Sequence, residues 1–128
     1  MSLPSRHLTV AGIALAALIL VQWMRPGFAA SAAVVRHLLG MVPNLAGAVA
    51  VPFLLTGLWA SRHPDATLRH ARRYFARHNL LTLVGLVAWE FLQQYSRLLV
   101  FEPVDMAAAL AGWAVAWLVF VALSARGD

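Results

Sequence analysis

Four apolar runs, each about as long as a bilayer core is thick, constrain this chain more than any other feature. A spanning helix needs ~20 mostly apolar residues, and the runs 8–24, 42–60, 79–95 and 106–123 hold 17 to 19 residues each. Together they take up more than half of the 128 residues. Each is bracketed by stop signals: Arg6 and Arg25-Pro26-Gly27 around the first, Ser61-Arg62-His63-Pro64 after the second, Arg77-His78 before the third, and Ser124-Ala125-Arg126-Gly127 after the fourth. With only 12% charged residues, a soluble core of this size could not bury so much apolar surface. The expectation is an all-α, polytopic transmembrane bundle of four helices forming a single integral membrane domain over 1–128. Arg6, the first apolar run and Ala30-Ser31-Ala32 also read as a signal peptide with its cleavage site, but the long run and the intervening Trp23-Met24-Arg25-Pro26-Gly27 favour a retained helix.

The connecting segments carry the charge. All ten basic residues are Arg, and Arg62, Arg69, Arg72, Arg73 and Arg77 crowd between the second and third runs. Placing that segment and both termini in the cytoplasm, with Arg6 and Arg126, puts seven Arg inside against Arg25, Arg36 and Arg97 outside. The positive-inside rule then gives an N-in, C-in, multi-pass protein. The stretch 64–78 predicts a basic cytoplasmic loop helix lying on the inner leaflet. Its apolar stripe would be Leu68, Ala71 and Phe75, with Arg69, Arg72, Arg73 and Arg77 available to anionic lipids. The bland reading of that loop is a topology signal without binding specificity. Residues 28–41 are too polar at Arg36-His37, and too interrupted at Gly40 and Pro43, for a full span. They predict a short interfacial or re-entrant half-helix on the outer side, or an amphipathic linker. Small residues mark helix contacts: Ala108, Gly112 and Ala116 in the fourth run, Gly12 and Ala16 in the first.

Function classes fall away quickly. Cysteine is absent, which excludes disulfides, iron–sulfur clusters and thiolate zinc sites. His63, His70 and His78 have no i, i+4 metal pairing, so no metal or cofactor is expected. Nucleic-acid binding is not expected either, for the basic residues fit membrane topology and lipid head groups.

The informative polar stretch is Trp89-Glu90-Phe91-Leu92-Gln93-Gln94-Tyr95-Ser96-Arg97, followed by Phe101-Glu102-Pro103-Val104-Asp105. Continued to Arg97, the third helix carries Glu90, Gln93 or Gln94, and Arg97 on one face. An ionisable group at the depth of Glu90 costs about 2.5–3.5 kcal/mol on insertion scales, so it should face the bundle interior and be paired. Asp105 suits an N-cap of the fourth helix. These residues support two readings. One is a structural pin in which Glu90 and Asp105 bridge Arg97. The other is a pocket for a head group or sugar, with Arg97 anchoring an anionic group. No catalytic set completes itself, so the sequence leans away from an enzyme.

Glu90-x-x-Gln93, then Arg97, Glu102-x-x-Asp105 and Gly112, with Asn44 and Pro52 upstream, resemble the VanZ-like family of small membrane proteins. The family pattern is E-x-x-Q, R, D-x-x-D and N-x-x-G; here Glu102 replaces the first Asp and Ala109 the Asn. The likeness covers roughly residues 42–120. It implies a bacterial inner-membrane protein acting at the outer face on cell-envelope precursors or glycopeptide ligands, as in teicoplanin resistance, through Asn44, Glu90, Gln93, Arg97, Glu102 and Asp105. The competing expectation is an accessory subunit of a larger membrane complex, or a homo-oligomer, docking through the small-residue faces of spans one and four.

Overall fold

A computed structural model describes residues 2–28, 32–95 and 102–125. Four α-helices are found there: α1 (Leu3–Met24), α2 (Ala33–Ser61), α3 (Leu68–Gln93) and α4 (Pro103–Ala125), with a 3-10 turn over Arg25–Phe28 extending α1. They pack as an all-α bundle in which α2 lies against each of the other three, and α3 lies against α4. Windows in Pro4–Gly27, Ala33–Ser61 and Pro103–Ala125 are long and apolar enough to cross a membrane. α3 falls short because its N-terminal part, 68–77, carries Arg69, Arg72, Arg73 and Arg77, yet Leu80, Leu81, Val84, Trp89 and Leu92 on its outer surface are all exposed.

Two expected elements merge into longer ones. The separate interfacial or re-entrant half-helix does not form, because residues 33–41 are the first turns of α2, which continues through Pro43 and Pro52. A prolyl residue costs a helix one donor, but in lipid a broken helix would strand several backbone groups, so the helix persists. At ~1.5 Å per residue the 29 residues of α2 reach ~43 Å, well beyond a ~30 Å hydrocarbon core. The polar Arg36 and His37 lie in the first two turns of α2.

The basic loop helix is likewise continuous with the third span. No Gly or Pro interrupts 65–84, and Thr67 caps the helix by accepting the His70 N–H at 3.4 Å. The stripe expected to face the inner leaflet faces protein instead. Ala71 and Phe75 are fully buried, whereas Leu68 is exposed.

Phe75 forms the core with Ala11, Val49, Phe53, Ala116 and Phe120. Its ring lies 4.3 Å from that of Phe120 and 4.8 Å from that of Phe53. His7 is buried against the same three phenylalanines, 5.4–6.3 Å between ring centres, and its Nδ1 has no hydrogen-bond partner among the described residues.

The small residues of α4 behave as expected. Ala108, Gly112 and Ala116 are buried, and a Cβ added at Gly112 would stand 2.7 Å from the Cβ of Ala48. Those of α1 do not. Gly12 has nothing within 4 Å of a built Cβ and both Gly12 and Ala16 are exposed. The close approach to α1 is made at Gly57 of α2, beneath Leu8 and His7.

Candidate functional site

The antiparallel packing sorts polar side chains to the two ends. At one end Glu90, near the last turns of α3, is only 1% exposed. Its Oε1 accepts the Asn44 Nδ2–H of α2 and the Gln93 Nε2–H one turn along α3, both at 3.3 Å. Its Oε2 is buried and has no partner among the described residues. The carboxylate is therefore held through one oxygen, and its buried second oxygen has spare acceptor capacity among the described residues. Two amide donors offset part of its desolvation, while Asp105 and Glu102 add like charge from the start of α4.

Asp105 stands close enough to interact with Asn44 and with the Arg25 guanidinium at the end of α1. It is not the helix cap: α4 opens at Pro103, so Glu102 occupies the position before the first turn and its carbonyl accepts the Asp105 N–H at 3.0 Å. Next to this cluster lies a small cavity of about 160 Å³ lined by Arg25, Arg36, His37, Gly40 and Glu102. Two guanidinium groups and a carboxylate around so small a space offer donors for a phosphate or carboxylate and an acceptor for a hydroxyl or amine.

Of the residues expected in a site, Asn44, Glu90 and Gln93 meet directly, Asp105 stands beside them, and Glu102 lines the adjoining cavity. Arg97 lies outside the described residues. By sequence Arg25, Arg36 and His37 are topology and linker residues; the one signal for their role is that two of three outer arginines fall on the same side as three of five acids.

The opposite end is basic and aromatic. The rings of Trp59 and Tyr74 stack at 3.9 Å and 20°, and Trp59 also stacks on His63 at 5.0 Å. Of the four arginines expected at lipid, Arg77 lies over the Tyr74 ring and Arg72 over Trp117, each 5.9 Å from the ring centre, while Arg69 and Arg73 are exposed. His78 Nδ1 lies 3.1 Å from Thr56 Oγ1. Among the described residues no three His, Asp or Glu side chains gather as a metal site.

No protein-family model, curated protein or solved structure matches the chain. Its class follows from the fold: three helices apolar enough to cross a bilayer, packed with a fourth, make a small helical membrane protein.

Proposed function

We propose that this is a VanZ-like, multi-pass protein of the bacterial inner membrane that binds the head group of a cell-envelope precursor, lipid or glycopeptide-type ligand at its outer face. Binding is non-covalent, and the termini lie in the cytoplasm by the arginine distribution. The observation that carries the reading is the convergence of Asn44, Glu90 and Gln93 on one buried carboxylate beside the Arg25/Arg36 cavity. It draws together residues from α2 and α3 that carry the family resemblance, with Asp105 of α4 beside them. In such a site the arginines take the anionic part of a head group, and the buried Oε2 of Glu90, which has no partner among the described residues, takes a hydroxyl or amine.

Glu90→Gln keeps an oxygen that both amides can reach, and Arg36→Ala removes a cavity cation. Both variants are expected to accumulate as folded protein and to lose binding of a phosphate-bearing envelope lipid, together with any teicoplanin-resistance phenotype. Failure of both to accumulate would instead make the cluster a structural pin. The second reading, an accessory subunit, has one observation behind it: the exposed apolar face of α1, including Ile13, Ile19 and Leu20. Extraction in mild detergent distinguishes the two, since a subunit brings a stoichiometric partner and a self-contained binding protein does not.

A further inference from the structure

A cavity of about 440 Å³ lies at the basic end, between the last turn of α2, the first turns of α3 and the loop joining them. Trp59, Arg62, His63, Asp65, His70 and Tyr74 line it. We propose that it binds the phosphate of an anionic phospholipid carrying a head-group hydroxyl, one molecule per chain.

The chemistry follows from the hydrogen bonds behind the lining. Thr67 Oγ1 accepts the His70 N–H at 3.4 Å and lies 3.2 Å from His70 Nδ1. With the hydroxyl donating to Nδ1, Nε2 carries the ring proton and is a donor to phosphate alongside Arg62. His63 is set the other way. Its Nδ1 lies 2.8 Å from the Trp59 carbonyl, which can only accept, so Nδ1 holds the proton and Nε2 of the neutral ring accepts from a hydroxyl. The cavity therefore pairs a phosphate-binding side with a hydroxyl-binding side, as phosphatidylglycerol requires. Asp65 is the single acid on the rim and opposes the anion.

The source is a lipid, by position. Trp59 and Tyr74 form the stacked amphipathic pair favoured at head-group depth. Leu55 and Leu58, on the turns of α2 just before the cavity, are exposed where acyl chains would lie. The site is distinct from the polar cluster at the other end and does not depend on the function assigned to that cluster.

The test is native mass spectrometry and equilibrium exchange of the full chain in nanodiscs of phosphatidylcholine doped with phosphatidylglycerol. The expected result is one retained phosphatidylglycerol per chain. Arg62→Gln and His70→Ala should each weaken retention about tenfold, the loss of one charge-assisted hydrogen bond. Arg69→Gln and Arg73→Gln remove the same charge outside the cavity lining and should weaken retention far less than Arg62→Gln. Asp65→Asn should tighten binding, a gain that misfolding cannot mimic. Equal losses for the cavity and surface arginines, or no preference over phosphatidylcholine, would overturn the site. Displacement by inorganic phosphate at equal concentration would overturn its assignment to a lipid.

Discussion

Replacing Gly112 with Ala is the most direct test of how the bundle is held together. The added Cβ would sit 2.7 Å from the Ala48 Cβ, 2.8 Å from the Leu45 carbonyl oxygen and 3.1 Å from the Leu45 Cα. Carbon atoms prefer ~3.5–4.0 Å, so the first contact is short by about 1 Å. Two of the three atoms are backbone and cannot rotate aside, so α2 and α4 must move apart locally. That loosens the packing of Ala108 and Ala116 on the same face. Overpacking of this kind costs about 1–3 kcal/mol, set against a gain of up to about 1 kcal/mol because Ala is a better helix former than Gly. Gly85→Ala isolates the second effect, since Gly85 lies on the exposed face of α3 with nothing within 4 Å of a built Cβ. The two variants should differ by about 1–3 kcal/mol in unfolding free energy, with Gly112→Ala the less stable. Equilibrium unfolding in mixed micelles, followed through the tryptophans, measures the difference. Adding Ala48→Gly to Gly112→Ala should recover part of the loss, because the 2.8 Å contact with the Leu45 carbonyl remains. Equal stabilities for Gly112→Ala and Gly85→Ala would show that α2 and α4 do not meet at this glycine.

Other outcomes follow from the buried polar groups. Glu90→Gln should stay within about 1 kcal/mol of the parent in the same unfolding assay, whereas Glu90→Leu, which strips the acceptor from Asn44 and Gln93, should cost about 1–3 kcal/mol; equal effects would mean those bonds are not made. His7→Leu should leave stability unchanged or raise it, because one imidazole nitrogen has no partner among the described residues inside an aromatic core; a large loss would show that His7 has a partner after all. Thr56→Val leaves His78 Nδ1 without its partner at constant shape and should cost about 1 kcal/mol, which a thermal unfolding scan can detect. The chain has no cysteine, so single cysteines at Ser2, Ser61 and Gln94 report topology without background removal. Ser2 and Ser61 should label from one side of the membrane and Gln94 from the other; labelling all three from one side contradicts the bundle.

Hydrophobic run length and its stop signals are local properties, and they are enough to place four helices and the membrane class. The Ala108/Gly112/Ala116 stripe was legible for the same reason, since spacing along one helix defines its face. So was the burial of Glu90, because a lone carboxylate in an apolar run has nowhere to go but inward. What spacing could not supply was rotation and crossing between helices. Gly12 and Ala16 form as good a stripe as that of α4, yet α1 turns it outward and meets α2 through Leu8 and His7 at Gly57. Ala71 and Phe75 could face lipid or protein equally well by pattern; an unbroken α3 carries them into the core, where Phe53 and Phe120 offer better packing than a head-group surface. Arg25, Arg36 and His37 lie far in sequence from Glu102, and only the return of α4, antiparallel to α3 and so parallel to α2, puts them around one cavity. By itself, the sequence determined that this chain lives in a bilayer as helices, because apolar length is read one residue at a time. The tertiary structure decided which polar groups share an end, because that depends on how each helix is turned toward its neighbours.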